Sequence, residues 1–142
     1  MDGSAAKRTY RDLQQHIEEL EARNLLHVVE EAVNKDTEMS PLVRWQFRGG
    51  LRESERKAFL FKAVTDSKGR SYDLPVVIGA LAANQDIYAV GMDAEVGDIA
   101  GKWEWAITNP IEPRIIKNAC CQEVVIDGDD LLKEDGGLAR LP

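Results

Sequence analysis

The chain has 142 residues, of which 44% are hydrophobic and 30% charged, enough apolar content for one globular domain with a buried core. It carries 18 Lys and Arg against 25 Asp and Glu, a formal net charge of −7, and its basic residues are scattered. That balance excludes nucleic acid as the main partner, because phosphate binding calls for a basic patch. No run approaches the ~18 consecutive apolar residues of a membrane span. Met1 to Arg8 is polar and carries no apolar signal core, which points to a cytoplasmic protein.

In chain order, Thr9 followed three residues later by Asp12 reads as the N-cap of a first helix, in a capping-box variant. Leu13, Ile17 and Leu20 fall at i, i+4 and i+7 and form its apolar stripe, while Glu18, Glu19 and Glu21 form its polar face. Arg23 and Asn24 suit its C-terminal end. A strand begins at Leu25 and continues through Val28 and Val29 to Val33, ahead of the turn Asn34-Lys35-Asp36. Ser40-Pro41 reads as N-cap and first residue of a second helix, running through Leu42, Val43, Trp45 and Phe47 to the breaker pair Gly49-Gly50.

Ala58 to Val64 reads as a buried strand, Ser67 to Arg70 as a loop, and Leu74 to Ala82 as a further strand. Asn84 caps a third helix through Ile87, Tyr88 and Val90. Val96 to Ile107 reads as a fourth helix, with Gly97 and Gly101 as close-packing positions. Pro110 and Pro113 bracket a break, and Ala119 to Ile126 reads as the last strand, stopped by Asp127-Gly128. Beyond Leu131 the pattern thins: Lys133 to Gly137 is linker-like, and Leu138 to Pro142 is apolar enough to pack against something. The interleaving predicts an α/β fold (α+β mixed), a single layered domain with a mixed sheet flanked by helices. Its expected extent is residues 1–126, with 127–142 as a linker.

No catalytic constellation emerges. His16 and His27 are the only histidines and are eleven positions apart, not the i, i+4 of a helical metal pair. Cys120 and Cys121 are adjacent, so on a strand they would point to opposite faces; without a CxxC they read as packing thiols. A GxSxG elbow is absent, and Gly49-Gly50 lacks the spacing of a phosphate cradle. Asp127, Asp129 and Asp130 start like a calcium loop, but Leu131 and Leu132 interrupt it, leaving a solvated turn. Trp45, Trp103 and Trp105 read as core or interdomain packing before ligand contact.

A family resemblance runs along most of this length. Tyr10 to Leu13 and Ile17 to Leu25 resemble the opening helix of UbiD-like decarboxylases, and Lys57 to Val64 resembles the family's first central strand. Leu74 to Leu81 resembles the strand that follows. Cys121 to Leu131 and Leu138 to Pro142 resemble the passage from the first domain into the second. Two segments depart from the pattern: Asn34-Lys35-Asp36 stands where a simpler Asp-Pro turn is expected, and Val96 to Pro113 is rich in tryptophan.

The resemblance implies reversible, non-oxidative decarboxylation of aromatic or α,β-unsaturated carboxylic acids, with the chain as the N-terminal domain of a homo-oligomeric enzyme. It implies prenylated flavin mononucleotide held with Mn2+ or Mg2+ and often K+. The residues that bind these, and the acid–base network, would belong to a downstream domain of the same chain. No catalytic, cofactor-binding or metal-binding residue is therefore expected here, and the role implied is packing and substrate gating. Two rival readings are a free-standing interaction or regulatory subunit with the same fold, and a small binding protein with its site near the tryptophans.

Overall fold

The computed structural model describes residues 12–113, 115–133 and 137–142. Helix α1 (Leu13–Ala22) is capped by Asp12, whose carboxylate accepts from the Gln15 amide at 2.9 Å. The expected cap, Thr9, lies outside the described residues. The helix ends where Asn24 adopts φ +58°, with Leu25 N donating back to Leu20 O at 2.8 Å. Asparagine tolerates this left-handed position because its short side chain bonds locally. The buried stripe of α1 is His16 and Leu20, with Ile17 packed at its edge. Leu13 was expected in that stripe but is 56% exposed.

Strand β1 (Leu26–Asn34) leads through the Lys35–Glu38 turn into α2 (Met39–Arg48), which returns the chain to β2 (Ala58–Thr65). β1 and β2 pair in parallel, as a helical crossover between them allows. Their register runs from Leu26↔Ala58 to Asn34↔Thr65, with a shift between Val29 and Ala32. The α2 helix starts at Met39, with Glu38 at the cap, so Ser40 and Pro41 lie inside its first turn. Proline is accommodated there because the first-turn amides have no intrahelical acceptor. Met39, Val43 and Gln46 face inward, whereas Leu42, Trp45 and Phe47 are exposed.

Strands β3 (Ser71–Tyr72) and β4 (Val76–Ile78) both lie antiparallel to β2, giving a mixed, open sheet. The strand expected over 74–82 is thus confined to three residues. Gly79, at φ +79°, turns the chain away, and a Cβ there would sit 3.2 Å from the Ala83 Cβ. Helix α3 (Gln85–Met92) opens on Asn84, whose Oδ1 accepts from Ile87 N at 2.7 Å. A 3-10 turn (Val96–Asp98) passes into α4 (Ile99–Thr108).

Two cores flank the sheet. One joins Leu20 of α1, Ile87 and Val90 of α3, and Leu26 and Ala58 of the strands. The other joins Met39 and Val43 of α2 with Val33, Phe61 and Val64. The molecule is a single mixed α/β domain, helices on both faces of the sheet. Beyond α4 the expected last strand over 119–126 is not formed: its only regular piece is a 3-10 turn, Cys120–Gln122. Val124 and Val125 are exposed, since neither sheet edge takes them up. The linker-like end carries two further 3-10 turns, Gly128–Leu132 and Gly137–Arg140.

Candidate functional site

The two histidines serve structure. His16 is buried, and its Nε2 donates to the Ala80 carbonyl at 2.6 Å, tying α1 to the turn after β4. The acceptor is a carbonyl, so this nitrogen must carry the proton. His27 is exposed on β1 and packs edge-on against its register partner Phe59, ring centroids 5.4 Å apart. Cys121 is a free, exposed thiol in a turn and does not pack in the core as expected. Gly97 and Gly101 have open space where a Cβ would stand, so they are not close-packing positions. Asp127 precedes the turn containing Asp129 and Asp130 without a capping bond from its side chain, and Asp130 pairs with Lys133.

The tryptophans lie on the surface. Trp45 is 62% exposed on α2, and Trp103 and Trp105 are 48% and 60% exposed on α4. Trp103 Nε1 donates to the Tyr88 hydroxyl at 2.7 Å, which links α4 to α3. None of the residues of α4 is buried, although its sequence is largely apolar. An amphipathic helix normally hides one face; here Trp105 and Ile107 stand clear of the domain.

Sequence reasoning passed over the most concentrated polar cluster, at the β2–β3 hairpin. Asp66 is buried and accepts from Arg70 N and Lys68 N at 2.9 Å, Arg70 Nε at 2.7 Å and Tyr72 Oη at 3.0 Å. Burial by itself would raise this carboxyl, but the hydrogen bonds overcome it and hold Asp66 well below the usual carboxylate range. Burial and the same carboxylate push the Tyr72 phenol up. The Lys35 ammonium and the Arg70 guanidinium flank the Tyr72 ring, 5.9 and 5.7 Å from its centroid. The cluster saturates its own hydrogen bonds, so it locks the hairpin and offers little to a ligand. An Asp three residues before a Gly in a polar turn was the available sequence signal.

Two of the cavities among the described residues lie at junctions between elements. One, of about 650 Å³, lies between Arg70–Leu74 and the C-terminal segment, where Ile126, Leu131, Leu138 and Leu141 line it. The other, of about 510 Å³, lies among Phe47 at the end of α2, the start of α3 and the start of α4. It is lined by Arg56, whose guanidinium lies over the Phe47 ring at 5.0 Å. Among the described residues the Arg56 Nε is closed to solvent without a hydrogen-bond partner. A buried donor left in that state costs about 1–3 kcal/mol.

Among the described residues no group of three or more His, Cys, Asp and Glu could hold a metal ion. Gly49-Gly50 follows a helix, not a strand, so it builds no phosphate-binding turn ahead of a helix. No helix among the described residues is long and apolar enough to cross a membrane.

No family model matches the chain. Among solved structures, the fold is similar to that of an evolved dimeric form of the UbiD-class enzyme HmfF from Pelotomaculum thermopropionicum in complex with prFMN, with a TM-score of 0.53. Identity is 22%, and the match covers 75% of this chain but 22% of that one. The chain therefore shares its α/β arrangement with about a fifth of a UbiD-class enzyme.

Proposed function

We propose that the chain is the N-terminal α/β domain of a UbiD-like enzyme that reversibly decarboxylates aromatic or α,β-unsaturated carboxylic acids, and that it packs over and gates the reacting centre. The observation carrying this reading is the fold likeness that spans most of this chain and only a fifth of the enzyme it matches. The uncovered apolar residues of α4 support it, since an exposed apolar face suits a domain made to pack against another. On this reading residues 1–126 are the domain and 127–142 lead toward the portion that holds prenylated flavin and metal ions. The complete protein is then a homo-oligomer.

The chemistry gives such a domain a purpose. Loss of carbon dioxide leaves electron density on carbon that must be protonated in place, and stray water competes for it. A covering domain excludes that water and opens to release product. This chain would supply walls and motion, and no reacting group.

The test begins with the gene product purified from its own cells. A mass well above that of 142 residues, with flavin absorbance and carbon dioxide release from an aromatic acid, supports the reading. A product of 142 residues without flavin overturns it in favour of a free-standing subunit. In a longer enzyme, deleting residues 1–120 should impair turnover and substrate affinity; if neither changes, the gating role is wrong.

A further inference from the structure

We propose that the cavity among Phe47, the start of α3 and the start of α4 is a binding site for a small monocarboxylate with an apolar body, held by Arg56. The volume, about 510 Å³, lies in the range of small-molecule pockets. Phe47, Ala82, Val96, Ile99 and Ala100 give it apolar walls, the usual lining of such sites.

Within this setting Arg56 stands out. Among the described residues its guanidinium makes no ion pair: nearby Glu55 pairs with Arg52, and Glu53 accepts from Gln85 N at 2.5 Å. The guanidinium carbon lies over the Phe47 ring at 5.0 Å, Nε is closed to solvent, and Arg56 lines the cavity, so its Nη groups are the part offered to an occupant. A planar, preorganised guanidinium is matched to a carboxylate, which accepts two parallel N–H bonds.

The neighbouring polar groups narrow the ligand further. The start of α3 is already satisfied, Asn84 accepting from Ile87 N and Glu53 from Gln85 N, so the helix terminus adds no free donor at those amides. Tyr88 lines the same cavity and accepts from Trp103 Nε1, which leaves its own hydroxyl proton to donate. Glu53 lines the same cavity, and its charge disfavours a second negative group on the ligand. One guanidinium, one hydroxyl and one opposing carboxylate therefore select a monoanion over phosphate or a dicarboxylate.

The ligand class overlaps the substrates of the decarboxylase reading, but the site is argued from this domain alone and its test needs no turnover. The 142-residue chain is titrated with sodium benzoate and with benzamide, its uncharged isostere, by saturation-transfer NMR and tryptophan fluorescence. Saturable transfer to benzoate, with a matching change in fluorescence from Trp103 beside Tyr88, is expected; benzamide should bind far less. Arg56→Gln should weaken benzoate about tenfold or more, while Arg56→Lys should retain part of the affinity. Circular dichroism and denaturant melts establish that each variant is folded. Should Arg56→Gln fail to fold, Ala100→Leu decides, because it fills the cavity from an exposed position on α4 and should also abolish binding. No transfer to benzoate, equal binding of benzamide, or affinity that survives Arg56→Gln or Ala100→Leu overturns the proposal.

Discussion

The side-chain amide of Gln46 makes two hydrogen bonds to the backbone of Lys57: its Nε2 donates to the Lys57 carbonyl at 3.0 Å, and its Oε1 accepts from the Lys57 amide at 2.9 Å. Gln46 is buried on the inner face of α2, and Lys57 directly precedes β2. The amide thus imitates a strand partner and fixes where the helix sits at the start of the strand. It also explains why a polar residue occupies a buried helical position: both ends of the amide are satisfied.

Replacing Gln46 by Met should therefore destabilise the domain by about 1–3 kcal/mol, although Met is apolar and similar in length. Two backbone groups of Lys57 would lose their partners, and the added apolar surface would not restore them. Urea unfolding monitored by circular dichroism checks this. A neutral substitution would mean that water takes over both bonds.

The observed facing of α1 makes a paired prediction. Leu20 is fully buried between α1, α3 and the sheet, so Leu20→Ala should cost about 2–5 kcal/mol. Leu13 is mostly exposed, and Leu13→Ala should stay within about 0.5 kcal/mol. Equal losses in denaturant melts would mean that the helix is rotated from the orientation described.

Asp66 predicts the form of acid unfolding. Its folded-state pKa is held below the ordinary 3.8, so its contribution is fully present above that value. It fades as pH falls from 3.8 toward the lowered folded value, where the unfolded chain takes up a proton and the native one does not. Asp36 acts in the same direction, through its hydrogen bonds from Lys35 and from Ser67 N. Asp66→Asn should be less stable at neutral pH, and its acid limb should be shallower by about one proton. Unfolding free energies measured between pH 2 and 6 decide this; parallel limbs in the two proteins would remove Asp66 from the account.

Trp105 on α4 tests whether that helix is a free face. Trp105→Ser should change stability by no more than about 0.5 kcal/mol and should reduce binding of a hydrophobic dye. A loss greater than about 1.5 kcal/mol would mean that Trp105 packs within this domain, and the docking role of α4 would fall with it.

The sequence alone determined the order and kind of most elements. Asn84 and Asn24 mark helix ends through hydrogen bonds and backbone angles made within a few residues, so they were legible locally. The run Ala58–Thr65 declared a strand because β2 pairs with β1, β3 and β4 and is covered on both faces. Tertiary structure decided what depends on distant residues. The inward face of α1 follows from His16 meeting a carbonyl 64 positions away, which no periodicity of Leu13, Ile17 and Leu20 encodes. The burial of Gln46, a polar residue, is explained only by Lys57 lying beside it in the fold. The apolar run at Val124 to Ile126 has strand-forming residues, but a strand exists only where an edge accepts its hydrogen bonds, and none does here. Arg56 was unremarkable in the sequence because its significance lies in what surrounds it: a phenylalanine ring, a cavity and, among the described residues, no paired carboxylate.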